Sequence, residues 1–120
     1  MNVVSVGALA AVPVLPAYSI SKAASFSLTQ SLRALLAREG VRVHAVLAGP
    51  IDTDMVRDLP IPKTPPKSVA RGIFDGVETG DEEIFPDPMS ATMADAWRTG
   101  VAKKLERQNA ALVAADPIAA

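Results

Sequence analysis

Tyr18 and Lys22, in the run Tyr18-Ser19-Ile20-Ser21-Lys22, stand four residues apart. On a helix that spacing stacks a phenol and an ammonium on one face. A free phenol, with a pKa near ~10, is a poor base at neutral pH. An ammonium held beside it favours the phenolate, so the pair could accept a proton and give it back. Alone, the spacing says little, since a given tyrosine meets a lysine at that distance roughly one time in twenty. Its surroundings say more. Ser5 closes a hydrophobic run thirteen residues before Tyr18, and a second apolar run ends in Ala48-Gly49-Pro50-Ile51-Asp52-Thr53.

The elements that must position these groups are legible in outline. Asn2 to Val6 is a short β-branched run ending at Gly7, the pattern of a buried strand in a parallel sheet. From Ala17 to Glu39 no Pro or Gly intervenes, and Leu28, Leu32, Leu35 and Leu36 fall at helical spacing, which predicts a long helix closed by Gly40. Ala24, Ser27, Ser31 and Ala34 form a second stripe, of small residues, that would let another helix come close. Val41 to Ala48 alternates as a second strand, and Gly49 to Pro66 is a proline-rich loop in which Asp52 to Asp58 could make a helical turn. Thr64 can cap, and Pro65 can open, a helix carrying Val69, Ala70, Ile73, Phe74 and Val77 and closed by Gly80. Glu83-Ile84-Phe85 follows as a third strand, then one or two helices from Met89 to about Ala114, broken at Thr99-Gly100.

Strands alternating with helices imply an α/β fold with a parallel sheet. A core strand that opens at residue 2 implies that the sheet continues beyond these residues, and exposed alone its edge would make the chain sticky. The expected organisation is a catalytic segment over 1–88 and a helical extension over 89–120.

Composition narrows the functional classes. The chain has 120 residues with 12 basic and 13 acidic side chains, a net charge of −1 and no run of like charge, so neither nucleic acid nor an anionic membrane is expected as a partner. Without cysteine it can build no disulfide framework and no thiolate metal site, which fits a cytoplasmic protein. The apolar stretch Val6 to Ala17 is broken by Pro13 and Pro16 and follows no basic leader. The only compositionally biased stretch is the Ala-rich tail after Leu112.

Taken together, the sequence resembles the short-chain dehydrogenases, over residues 1 to about 88. That family joins a strand ending Asn-x-x-Ser, a helix carrying Tyr-x-x-x-Lys and a strand ending Pro-Gly-x-x-x-Thr. The corresponding segments are Asn2-Val3-Val4-Ser5, Tyr18 to Lys22, and Ala48-Gly49-Pro50-Ile51-Asp52-Thr53-Asp54-Met55, with Ala48 in place of the usual Pro. The resemblance implies the C-terminal half of a Rossmann-type doubly wound sheet, three strands with flanking helices. It implies that Tyr18 exchanges a proton with the substrate's oxygen, that Ser5 hydrogen-bonds the same oxygen, and that Lys22 supports the phenolate and holds the nicotinamide ribose. Gly49, Ile51 and Thr53 would face the nicotinamide of NAD or NADP. The substrate would be a small alcohol or carbonyl compound, and the Tyr18 helix would form a homo-oligomer in the full-length protein.

The family's N-terminal features are not among these residues: no Thr-Gly-x-x-x-Gly-x-Gly turn, no Asn-Asn-Ala-Gly segment. Gly72, Gly76 and Gly80 lie within a helical pattern, where close packing and a helix cap explain them better than a phosphate turn. His44 is expected on a strand face, Asp52 and Asp54 as caps, and Trp97 as a packing anchor for the last helix. Lys103, Lys104, Glu106 and Arg107 are expected to form a solvated face. A serine hydrolase is disfavoured, because Ser5 lies in no Gly-x-Ser-x-Gly elbow. The expected function is therefore an NAD(P)-dependent oxidoreductase, with a non-catalytic packing or dimerisation module as the alternative.

Overall fold

Three short strands, β1 (Asn2–Val3), β2 (Ala45–Val46) and β3 (Glu83–Ile84), run parallel in that order in the computed structural model, which describes residues 1–115. The end of the Ala-rich tail lies outside the described residues. Parallel hydrogen bonding extends past the regular strands. Asn2, Val4 and Val6 donate to the carbonyls of His44, Val46 and Ala48, while Ala45 and Leu47 donate to those of Glu82 and Ile84. Parallel strands need crossovers, and helices supply them: α1 (Pro16–Leu36) joins β1 to β2, and α2 (Pro66–Thr79) joins β2 to β3. The chain then continues through α3 (Pro88–Ala91), α4 (Ala94–Thr99) and α5 (Val101–Ala115). Among the described residues no helix is long and apolar enough to cross a membrane.

The central strand is buried on both faces because each face is covered by helices. Ala45 and Leu47 pack with Val4 and Phe26, against which Trp97 rests, whereas Val46, Ala48 and Ile84 pack with Ile73 and Val77 of α2. Gly76 permits this second contact. A Cβ there would stand 2.7 Å from the Ile84 side chain, and one at Gly72 would stand 2.7 Å from the Pro86 carbonyl oxygen. These glycines serve packing, as their helical setting predicts, and Gly40 and Gly80 end their helices in the left-handed region. On β1 only the Val4 side is covered; Val3 is 56% exposed at the open edge of the sheet.

Several expectations change in the structure. The long helix passes at Ala37 into a 3-10 turn, and its buried residues are Ser19, Phe26 and Thr29. Leu28 and Leu35 are exposed. Thr29 is buried because its hydroxyl accepts from Asn2 Nδ2 at 3.0 Å and donates to the Ser25 carbonyl, tying β1 to α1. The helix that approaches Ser27, Ser31 and Ala34 is α5 of the same chain. Pro65, not Thr64, is the residue before α2, and no side chain caps that helix. Asp54 does not cap its 3-10 turn either, but pairs with Arg57 on the surface.

The largest correction concerns α5. Lys103 is 2% exposed, not solvated, and its ammonium meets Glu83 at 2.6 Å, Glu82 at 2.7 Å and Glu106 at 2.8 Å. Arg33 from α1 joins the cluster, 2.6 Å from Glu106 and 2.8 Å from Glu83, and donates to the backbone carbonyls of Val43 and Glu82. Trp97 Nε1 donates to Glu83 Oε1 at 2.7 Å, so the tryptophan anchors through its indole N–H as well as by a tilted ring contact with Phe26. Buried charge is tolerated only when paired in this manner. Lys104 and Arg107 do face solvent, as the helical pattern predicts.

Candidate functional site

Parallel α/β sheets present their functional groups beyond the carboxyl ends of the strands. Here a cavity of about 330 Å³ lies where β1 and β2 end. Ser5 stands at its floor with an extended backbone, and its Oγ accepts the Gly7 N–H at 3.0 Å, capping the 3-10 turn Val6–Ala8. That bond uses a lone pair of the hydroxyl and leaves its proton to donate.

Tyr18 arrives from the first turn of α1, which begins at Pro16. Between the two lies Gly7. A Cβ at that position would be in ordinary contact with both, 3.4 Å from Ser5 Oγ and 3.5 Å from Tyr18 Cε1, so the two groups border one space beside it. Ser19 fixes the approach of the helix: its hydroxyl accepts the Val12 N–H at 2.8 Å and is buried. Lys22, one turn on, places its Nζ 5.6 Å from the centroid of the Tyr18 ring, within cation–π distance. Lys22 does not line the cavity; Ser5, Tyr18, Gly49, Ile51 and Thr53 do.

The turn after β2 is held from two sides. Thr64 donates to the Pro50 carbonyl and Asp52 to the Thr64 carbonyl, a bridge that folds the proline-rich loop back on the turn. From the other side the Asp87 carboxylate accepts the Gly49 N–H. Only glycine permits that approach, since a Cβ on residue 49 would stand 2.7 Å from Asp87 Oδ1 and 3.0 Å from Met89 Sδ. Asp87 also caps α3 in a reciprocal arrangement with Ser90.

Sequence reasoning gave no role to Asp87, Ser90 or Met89. An Asp followed three residues later by Ser, with Pro88 between, was the available signal for a helix start. Nothing in the sequence pointed from that helix back to Gly49. His44 and Trp97 lie away from the cavity; His44 is buried beside β2, its ring facing the Asp81 carbonyl.

A family model described as short chain dehydrogenase matches residues 1–63. Among solved structures, one described as a short chain dehydrogenase from Burkholderia cenocepacia J2315 in complex with NADP is 37% identical and superposes with a TM-score of 0.74, over 82% of this chain and 43% of that one. The chain therefore spans less than half the length of that relative. No curated protein matches. The strand, helix and turn that carry Ser5, Tyr18 and Thr53 all fall within residues 1–63, and on this match the chain belongs to the short-chain dehydrogenase family, with the parallel α/β architecture of its Rossmann-type fold.

Proposed function

We propose that these residues form the catalytic wall of an NAD(P)-dependent oxidoreductase that interconverts an alcohol and a carbonyl compound. The observation that carries this reading is the shared border of Ser5 and Tyr18 on either side of Gly7, at the floor of one cavity. Ser5 donates its hydroxyl proton in a hydrogen bond to the substrate oxygen. Tyr18 gives its proton to that oxygen in reduction and takes it back in oxidation. Lys22 stands one turn on, its ammonium 5.6 Å from the centroid of the Tyr18 ring, and belongs to the same catalytic group.

A nicotinamide cofactor supplies the complementary hydride when bound; the solved relative holds NADP. Gly49, Ile51 and Thr53 would hold the nicotinamide end beside Tyr18, and Lys22 the ribose. The cofactor's pyrophosphate is not matched by the residues described. Gly72 and Gly76 are packed into α2 against β3, and no glycine-rich turn follows a strand to present backbone N–H groups. The fit is to the reacting end of the cofactor alone. The outer face of α1, with Leu28 and Leu35 uncovered, supports self-association through the helix that carries Tyr18.

The decisive variant is Tyr18→Phe in the full-length protein. It keeps the ring and removes the exchangeable proton, so turnover should drop by at least ~100-fold while NADPH binding persists. Near-normal turnover would refute the assignment.

A further inference from the structure

The space in front of Ser5 and Tyr18 is bounded by side chains of one chemical kind. Beyond those hydroxyls and Thr53, the lining is aliphatic or thioether: Val12 and Leu15 from the segment before α1, Val56, Leu59 and Ile61 from the proline-rich loop, and Met89 from α3. No charged side chain among the described residues lines the cavity. This is not for want of charge nearby. The same loop carries Asp52, Asp54, Arg57, Asp58 and Lys63. Asp54 and Arg57 are spent on one another at the surface, and Lys63 Nζ donates to the Arg57 carbonyl at 3.0 Å. The loop thus turns its charges to water and its apolar side chains to the cavity.

That sorting costs the protein in water. Val12, Leu15, Met55, Leu59, Ile61 and Met89 are all exposed around one opening, and contiguous exposed apolar surface marks a place that another molecule covers. An ionised group brought here would lose its hydration and find no counter-charge, whereas an aliphatic or aromatic group would be stabilised by its own burial. The volume bounds the size. About 330 Å³ is at the low end of the ~300–1,000 Å³ typical of ligand pockets, and a nicotinamide ring would take part of it.

We propose that the substrate is a small, uncharged, apolar ketone or the corresponding secondary alcohol, its oxygen on Ser5 and Tyr18 and its hydrocarbon arm against Val56, Leu59 and Met89. The proposal rests on the oxidoreductase reading for the oxygen end; the selection of an apolar arm follows from the lining alone.

Binding can be read without turnover. Met55 and Met89 line the cavity, whereas Met1 and Met93 do not, so the methyl signals of 13C-methyl-methionine protein report occupancy with two internal controls. The full chain is titrated with acetophenone and with 4-acetylbenzoate, a matched pair differing by a carboxylate. Acetophenone should shift Met55 and Met89 and leave Met1 and Met93 in place, with 4-acetylbenzoate weaker by roughly tenfold or more. Leu59→Arg, at an exposed position that tolerates a cation, should narrow that gap. Equal or tighter binding of the carboxylate, or no response of Met55 and Met89 to either probe, would overturn the proposal. Acetophenone binding that is unchanged in Ser5→Ala and in Tyr18→Phe would uphold the apolar class and count against the oxidoreductase reading, which puts the ketone oxygen on those two hydroxyls.

Discussion

Asp87 Oδ2 accepts the Gly49 N–H at 2.8 Å while Oδ1 of the same carboxylate accepts the Ser90 N–H at 3.0 Å. One buried side chain thereby fixes both the turn that presents Ile51 and Thr53 and the helix that presents Met89. Hydrogen bonds to a charged acceptor contribute about 1.5–3 kcal/mol each, and orphaning a buried donor costs a similar amount. Asp87→Ala should therefore lower unfolding free energy by about 3 kcal/mol or more and loosen the turn after β2. Asp87→Asn, which keeps one acceptor oxygen, should fall between. Urea denaturation measures the first effect; an Asp87→Ala protein as stable as the parent would show that the bond contributes nothing.

Ser5 has two jobs that one substitution cannot separate and a pair can. Its Oγ caps the Val6–Ala8 turn through the Gly7 N–H, and the residue lines the cavity with a hydroxyl proton left to donate. Ser5→Ala should cost about 1 kcal/mol of stability and, on the oxidoreductase reading, roughly 100-fold in turnover. Ser5→Thr keeps the hydroxyl and should recover most of both. If Ser5→Ala lost stability but retained turnover, the hydroxyl would be structural only.

The Lys103 cluster makes stability depend on pH at both ends. For Lys103, burial would push the ammonium down, but the bonds it donates to Glu106, Glu82 and Glu83 outweigh this and hold it above the usual lysine value. A raised lysine contributes stability that is fully present below its unfolded pKa and is lost as pH rises through the folded one. For Glu82, burial would raise the carboxyl, but the Lys103 hydrogen bond and the charges of Lys103, Arg33 and Arg107 hold it below the usual glutamate value. That contribution is present above the unfolded value and is lost as pH falls through the lowered one. Thermal melts should thus show a plateau from mildly acidic to mildly alkaline pH with losses on either side. Lys103→Met leaves Glu83 buried with a weakened partner set and should cost about 3 kcal/mol; unchanged melting would mean that Arg33 alone neutralises the cluster.

The difference between what was legible and what was not lies in sequence distance. Ser5, Tyr18, Gly49, Ile51 and Thr53 were singled out by the resemblance of their segments to the short-chain dehydrogenases, and they line one cavity. Lys103 could not be placed from its own segment. Its spacing within α5 describes a polar face, while the partners that bury it, Arg33, Glu82 and Glu83, come from other elements. The same limit left open what Leu28 and Leu35 face. A helical stripe of leucines announces a face that wants cover, but not whether this chain supplies it, and here Phe26 and Thr29 take the sheet-facing side.

Cofactor affinity should be poor for the 120-residue chain. On the proposed reading the nicotinamide end would meet Tyr18, Ile51 and Thr53, but among the described residues the doubly charged pyrophosphate would meet no cluster of backbone N–H groups at a helix start. Since that contact anchors dinucleotides in this architecture, isothermal titration with NADP and NADPH should give dissociation constants well above the micromolar range. Micromolar binding would show that other residues of this chain cradle the phosphates.

Self-association should follow from two surfaces the chain leaves uncovered. On α1, Ile20, Leu28 and Leu35 are 70%, 56% and 50% exposed, and they project from the side away from the sheet. At β1, the outer edge offers unpaired backbone groups beside Val3. The helix is the stronger candidate, because each leucine fully buried at a helix pair stabilises by up to ~1.5–3 kcal/mol, and a two-fold axis would use both leucines twice. Edge pairing would instead add strands without closing. Light scattering after size exclusion should show dimers at micromolar concentration. Leu28→Glu with Leu35→Glu should return the protein to monomer while leaving Ser5, Tyr18 and their cavity intact, since neither leucine lines it. Dimers that survive the double substitution would shift the contact to the β1 edge, and a monodisperse monomer of the parent chain would remove the prediction altogether.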